Sequence, residues 1–161
     1  MNSDWQRYIL ASSGYLELGM LDDAALALEK IAPPDKDRVE VLGVHLALEL
    51  IGRKWRSAAS IAGHLVNVMP ENPSWWIQMA YAVRRCESVE KAEAILLEAH
   101  EIHPDNVIIL LNLASYASVI GRTEEAKVRL RRAIKLDRGV RQLALEVADL
   151  RPLWDWISRL D

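Results

Sequence analysis

The sequence is poor in the residues that build staples and reactive sites. It carries one cysteine in 161 residues, so no internal disulfide can form, and a reducing, cytoplasmic setting is the simpler expectation. Phenylalanine is absent, and the four histidines are the whole supply of imidazole. Seven glycines and six prolines form no glycine-rich loop: Gly14 and Gly19 lack both the lysine and the preceding strand that a phosphate cradle needs. Long apolar runs are missing as well. A stretch such as Val107 to Leu111 falls far short of the ~20 residues that cross a bilayer, so no membrane partner is expected. Asp4 and Trp5 stand where a secretory signal would place a basic start and an apolar run, which again favours the cytoplasm.

Constellations that could do chemistry are equally scarce. His100 and His103 share a helix face, yet no cysteine or third histidine lies nearby, and metal sites of this kind need three or four ligands. Cys86 follows Arg84 and Arg85, whose charge would favour a thiolate, but an inert thiol is the plainer reading. The pairs Asp22-Asp23 and Glu124-Glu125 are placed as charges at helix N-termini rather than as an acid/base couple. No catalytic residue, metal or cofactor is expected, and the chain is read as a non-enzyme.

What the sequence does contain is a period. Ala58 with Leu65, Ala92 with Ala99, and Ala126 with Ala133 repeat at about 34 residues, and Pro70 and Pro104 close two of the units. With 51% hydrophobic residues the chain can bury a core. A single helical hairpin cannot bury its own apolar face, so a fixed period of this length implies stacked hairpins. Helical spacing of apolar residues, broken by Gly and Pro, gives about nine segments and no strand. The expected hairpins cover 5–34, 38–70, 73–104 and 106–138, followed by a cap over 139–161, all within a single domain. Asn72, Ser88 and Asp105 or Asn106 are the expected N-caps, Pro73 the first helical residue, and Gly19, Gly52 and Gly121 the turns. Gly19 and Gly52 are 33 residues apart, which suggests an extra residue before Ala58 and a shifted second hairpin.

These residues resemble the tetratricopeptide repeat, whose unit carries a large residue, a Leu-Gly pair and a Tyr on its first helix, then Ala, an aromatic, Ala and Pro on its second. The third hairpin matches with Trp76, Met79-Ala80, Val83, Ala92, Leu96, Ala99 and Pro104, and the fourth with Leu110, Leu113-Ala114, Ala117, Ala126, Leu130 and Ala133. The first matches with Tyr8, Ala11-Ser12, Tyr15, Ala24 and Leu28, its second helix cut short. The resemblance covers roughly residues 5–138 and implies an all-α, right-handed α-α superhelix of four hairpins plus C-terminal capping helices. It also implies a concave face lined by the first helix of each hairpin. Carried over by position, that lining is Ile9, Ser13, Leu42, Leu46, Glu49, Ile77, Tyr81, Arg84, Arg85, Ile108, Leu111 and Ser115. Ile9 and Ser13 replace the Lys and Asn with which chaperone-binding relatives clamp carboxylates, so a two-carboxylate clamp is not expected. The apolar lining suits a peptide or helical segment with spaced hydrophobic anchors, one acid of which would pair with Arg84 and Arg85. The chain's own C-terminus, or a second copy, could fill the same face.

Charge is distributed unevenly along the chain. Residues 1–40 hold eight acids and four bases, whereas residues 122–161 hold seven acids and ten bases. The basic residues, among them Lys127, Arg129, Arg131, Arg132, Lys135, Arg138 and Arg141, are read as a solvated outer face; no aromatic interleaving points to nucleic acid. Complementary ends leave homo-oligomer formation open. Finally, two helices are expected over about 140–150 and 152–160, with Leu150, Leu153, Trp154 and Ile157 on one apolar face. That face must pack on something: as a cap over Leu130 and Ile134, as a latch in the groove, or as a dimer contact.

Overall fold

A computed structural model describes residues 4–160; among them there is no strand. The chain divides into two compact units, one ending at Met69 and the other beginning at Pro70. In the first unit, α1 (Asp4–Glu17) and α2 (Leu21–Glu29) form one hairpin, and α3 (Val39–Ile51) and α4 (Trp55–Val68) form the next. Trp5, Ala24, Leu28, Ile31, Val41 and Leu48 make its core. The helix α2 ends at Glu29, earlier than the apolar pattern suggests, because Pro33 and Pro34 lack the N–H groups a longer helix needs and form a 3-10 turn instead.

The second unit holds α5 (Pro73–Cys86), α6 (Val89–Ile102), α7 (Val107–Val119) and α8 (Thr123–Leu136), again as two hairpins. Side-chain caps start three of these helices. Asn72 accepts from the Ser74 N–H at 3.0 Å, Ser88 from Lys91 at 3.2 Å, and Asn106 from Ile108 at 3.1 Å and Ile109 at 3.0 Å.

The register of the repeat is written in the turns. Gly19 (φ +73°), Arg53 (φ +56°) and Gly121 (φ +83°) take the left-handed conformation, the second one 34-residue period and the third three periods after the first; Glu87, at the second period, does not (φ −130°). Each of the three left-handed residues is followed by the same closing bond at 2.8 Å, from Met20 N–H to Tyr15, from Lys54 to Glu49, and from Arg122 to Ala117. The second hairpin therefore carries no extra residue. Its left-handed position has passed from Gly52 to Arg53, at a cost of about 1 kcal/mol for a side chain in that region. Counted from these turns, Ser12, Leu46, Ala80 and Ala114 are equivalent, as are Ala24, Ala58, Ala92 and Ala126, and all eight are completely buried. Small residues at seven of these eight positions, Leu46 being the exception, let paired helices approach. Where Ser12 replaces alanine, its hydroxyl donates to the Ala24 carbonyl at 3.0 Å and so leaves no orphan polar group.

The tail departs from the expected pair of helices. The helix α9 (Val140–Ala144) stops after five residues; Ala148–Leu153 is a 3-10 segment, and α10 (Trp154–Ser158) is short. Leu150, Leu153 and Ile157 are buried in one cluster with Leu110, Leu111, Leu130 and Ile134. Three large side chains removed from water outweigh the hydrogen bonds of a longer helix. Trp154 recovers one bond by donating its indole N–H to the Ala144 carbonyl at 3.2 Å.

Candidate interaction face

In the second unit, α5 and α7 are the first helices of their hairpins, and the tail lies against them. Asp149 is the contact that defines the face. Its carboxylate accepts from Arg84 Nη1 at 2.5 Å and from the Ser115 hydroxyl at 2.9 Å, and its main-chain carbonyl accepts from the Ser118 hydroxyl at 2.8 Å. Arg84 also stacks on the Tyr116 ring, 5.2 Å from its centre. The Arg84 guanidinium holds the Asp149 carboxyl below the usual carboxylate range, with Ser115 adding to the effect against partial burial. Reciprocally, Asp149 raises the pKa of Arg84. Burial pushes the Tyr116 phenol up to about 12, so it stays neutral beside this pair. An open cavity of about 540 Å³ adjoins, lined by Arg84, Arg85, Ala148 and Asp149. Arg85 meets Tyr81, its guanidinium 5.3 Å from the ring centre and donating to the hydroxyl at 3.4 Å.

The tail is fastened from a second side. Lys127 and Arg131 stack on Trp156 at 5.8 and 5.0 Å, and Arg141 donates to the carbonyls of Ile157 and Ser158. Other members of the basic stretch are paired too: Arg129 with Glu125 at 2.9 Å and Arg132 with Asp105 at 2.6 Å.

The expected lining residues fall into distinct settings. Ile77 and Arg84 are half-buried on α5 and Tyr81 and Arg85 are exposed there; Ile108 is half-buried on α7. Leu111 and Ser115 are buried within the unit, because the tail covers them. On α1, Ile9 and Ser13 are half-buried. On α3 the expected positions are one residue out of phase, the consequence of taking Gly52 for the left-handed turn. Leu46 is fully buried, Leu42 half-buried, and Glu49 only 5% exposed, its carboxylate facing Lys54 at 3.5 Å and His45 at 3.8 Å. In the corrected register the equivalent positions are Gly43, Ala47 and Leu50. Glu49 borders a cleft of about 310 Å³ with Leu28, Val41 and Leu48.

Two features were not legible beforehand. Asp149 is one of several charged residues in the tail, with no local motif to single it out, and its partners lie 65 and 34 residues away. Tyr116 carried no motif. The two helix-end histidines are separate: His103 Nε2 is 3.0 Å from the Pro70 carbonyl, whereas His100 is half-buried with its pKa lowered by burial. Among the described residues, no group of three His, Cys, Asp or Glu is placed to hold a metal ion, and no helix is long and apolar enough to cross a membrane.

Solved structures place this arrangement. The chain superposes on a MamA crystal structure with a TM-score of 0.77 over 99% of its length and 88% of that chain, at 14% identity. The chain has the tetratricopeptide-repeat fold. A thermophilic TPR protein of Thermus thermophilus matches with a TM-score of 0.67, at 17% identity, over 97% of this chain and 100% of that one. The MamA MSR-1 structure gives 0.72 at 18% identity, over 85% of this chain and 79% of its own. No family model and no curated protein matches the sequence. Arg84 lies on α5 and Ser115 and Ser118 on α7, the first helices of two successive hairpins, and Asp149 bonds to all three.

Proposed function

We propose that the chain is a non-catalytic protein-interaction module, a scaffold that holds a peptide or helical segment of a partner on the first-helix faces of its hairpins, in a cytoplasmic setting. The observation that carries this is the tail itself. A stretch of polypeptide with an acid and spaced leucines is already seated on α5 and α7, held by a charge-assisted bond, two hydroxyl donors and buried side chains. Ile9, Ser13, Ile77, Tyr81, Arg84, Arg85 and Ile108 are the residues through which a partner is contacted, with Gly43, Ala47 and Leu50 replacing the out-of-phase positions on α3. Homo-oligomer formation through complementary ends is the less favoured reading, because much of the basic surface that would drive it is engaged within the chain.

Selection from a displayed peptide library against the full chain tests the proposal. Selected peptides should bind the wild-type chain and lose at least about tenfold in affinity to Ile77→Asp with Tyr81→Ala, while far-UV ellipticity stays unchanged. Peptides whose binding ignores these substitutions would overturn it.

A further inference from the structure

The tail meets the α5–α7 face through a small, defined set of contacts. Between Ala148 and Leu153 the chain reads Ala-Asp-Leu-Arg-Pro-Leu. The Asp149 carboxylate goes to Arg84 and Ser115, and its carbonyl to Ser118. Leu150 and Leu153 are 0% and 3% exposed and join the cluster that contains Leu110, Leu111, Ala114 and Ala117 of α7. Arg151 and Pro152, between the two leucines, are exposed and make no demand on the face. Every element of this readout belongs either to a first helix or to the apolar surface beneath it.

We infer that the α5–α7 face is a receptor for segments carrying an acidic residue followed by leucines one and four positions later, and that Ala148–Leu153 is its resident, competing occupant. This rests on the proposal that first-helix faces hold protein segments, and deepens it by naming the partner's chemistry. The requirement for an acid follows from Arg84: with the carboxylate gone, a partly buried guanidinium and the Ser115 hydroxyl lose their acceptor. The leucine spacing follows from the 3-10 geometry of the segment, which brings residues three apart to the same side. A tethered occupant acts at an effective concentration of about millimolar or above, so a partner segment meets competition that a free face would not impose. Weakening the occupant while sparing the receptor should therefore tighten binding of an added segment.

The test uses the full chain and a labelled peptide of the sequence Val147–Arg159, followed by fluorescence anisotropy. Asp149→Asn removes the occupant's charge with little change in shape. It should raise affinity for the peptide roughly fivefold over the wild-type chain, the modest gain expected from losing one ion pair that solvent partly screens. The same peptide with asparagine for its aspartate should gain a similar factor from that substitution, because the face is freed for any segment, but should bind every variant that keeps Arg84 more weakly than the acidic peptide. Adding Arg84→Gln to Asp149→Asn should remove the gain, with urea midpoints showing that each variant is folded. Asp149→Glu, which keeps the acid, should behave close to wild type. Equal binding of the acidic and neutral peptides, or no gain with Asp149→Asn, overturns the inference. If library selection yields peptides that depend on Ile77 and Tyr81 but lack the acid-leucine pattern, the scaffold proposal stands and this inference alone falls.

Discussion

Replacing Leu150 by alanine probes whether the tail is part of the folded unit or merely laid on it. Leu150 is completely buried among Leu110, Leu130, Ile134 and Ile157. Removing three carbon groups at about 0.8 kcal/mol each forfeits about 2.4 kcal/mol of transfer free energy. Incomplete collapse around the gap adds a cavity term, which places the total at about 3 kcal/mol, inside the ~2–5 kcal/mol span of buried leucine truncations. Leu143, on the same tail but 44% exposed, is the internal control: Leu143→Ala should change stability by no more than about 0.5 kcal/mol. Urea unfolding followed by far-UV ellipticity gives both values, with the slope checked for constancy. A loss below about 1 kcal/mol for Leu150→Ala, or equal losses for the two variants, would refute the view that the tail completes the core of the second unit.

Three further outcomes follow from the geometry. Asn106→Ala leaves the N–H groups of Ile108 and Ile109 without their side-chain acceptor and should cost about 1 kcal/mol by the same assay; a change near zero would remove the cap from the account. Ala126→Leu forces a branched side chain into a fully buried site between paired helices, and a loss of about 1–3 kcal/mol is expected in the urea midpoint, against none if the position had room. Asp149 titrates lower in the folded chain than in the unfolded one, so its contribution is complete above the ordinary carboxylate range, near about pH 4, and disappears as pH falls through the lowered value. The stability difference between wild type and Asp149→Asn should shrink across that acid window and be constant from about pH 5 upward; a difference that grows on acidification would contradict the assigned pairing.

The repeat was legible because its determinants are local and periodic. Alanines at 24, 58, 92 and 126 mark the close approach of paired helices, and Asn72, Ser88 and Asn106 announce helix starts through side chains that reach only two or three residues. The second hairpin was misphased for an equally local reason. Glycine signals a left-handed turn, but there Arg53 takes that conformation and Gly52 does not, so Leu46 and Glu49 turn inward and the lining shifts by one. The tail was hardest to read. Its apolar spacing fits a helix from 140 to 150, yet the bonds that decide its path join Asp149 to Arg84 and Ser115, and no local pattern encodes a partner that far along the chain. The burial of Leu111 and Ser115 follows from the same long-range docking.

A double-mutant cycle between Arg84 and Asp149 addresses the seating of the tail on the α5–α7 face most directly. Both side chains are just over a quarter exposed, so solvent screening keeps the expected coupling modest, at about 1 kcal/mol. Urea stabilities of the wild type, Arg84→Ala, Asp149→Ala and the double variant should show that coupling, the double variant being less destabilised than the two single losses combined. Additivity within about 0.3 kcal/mol would mean that the two residues do not meet in solution, and that the face is not held as described.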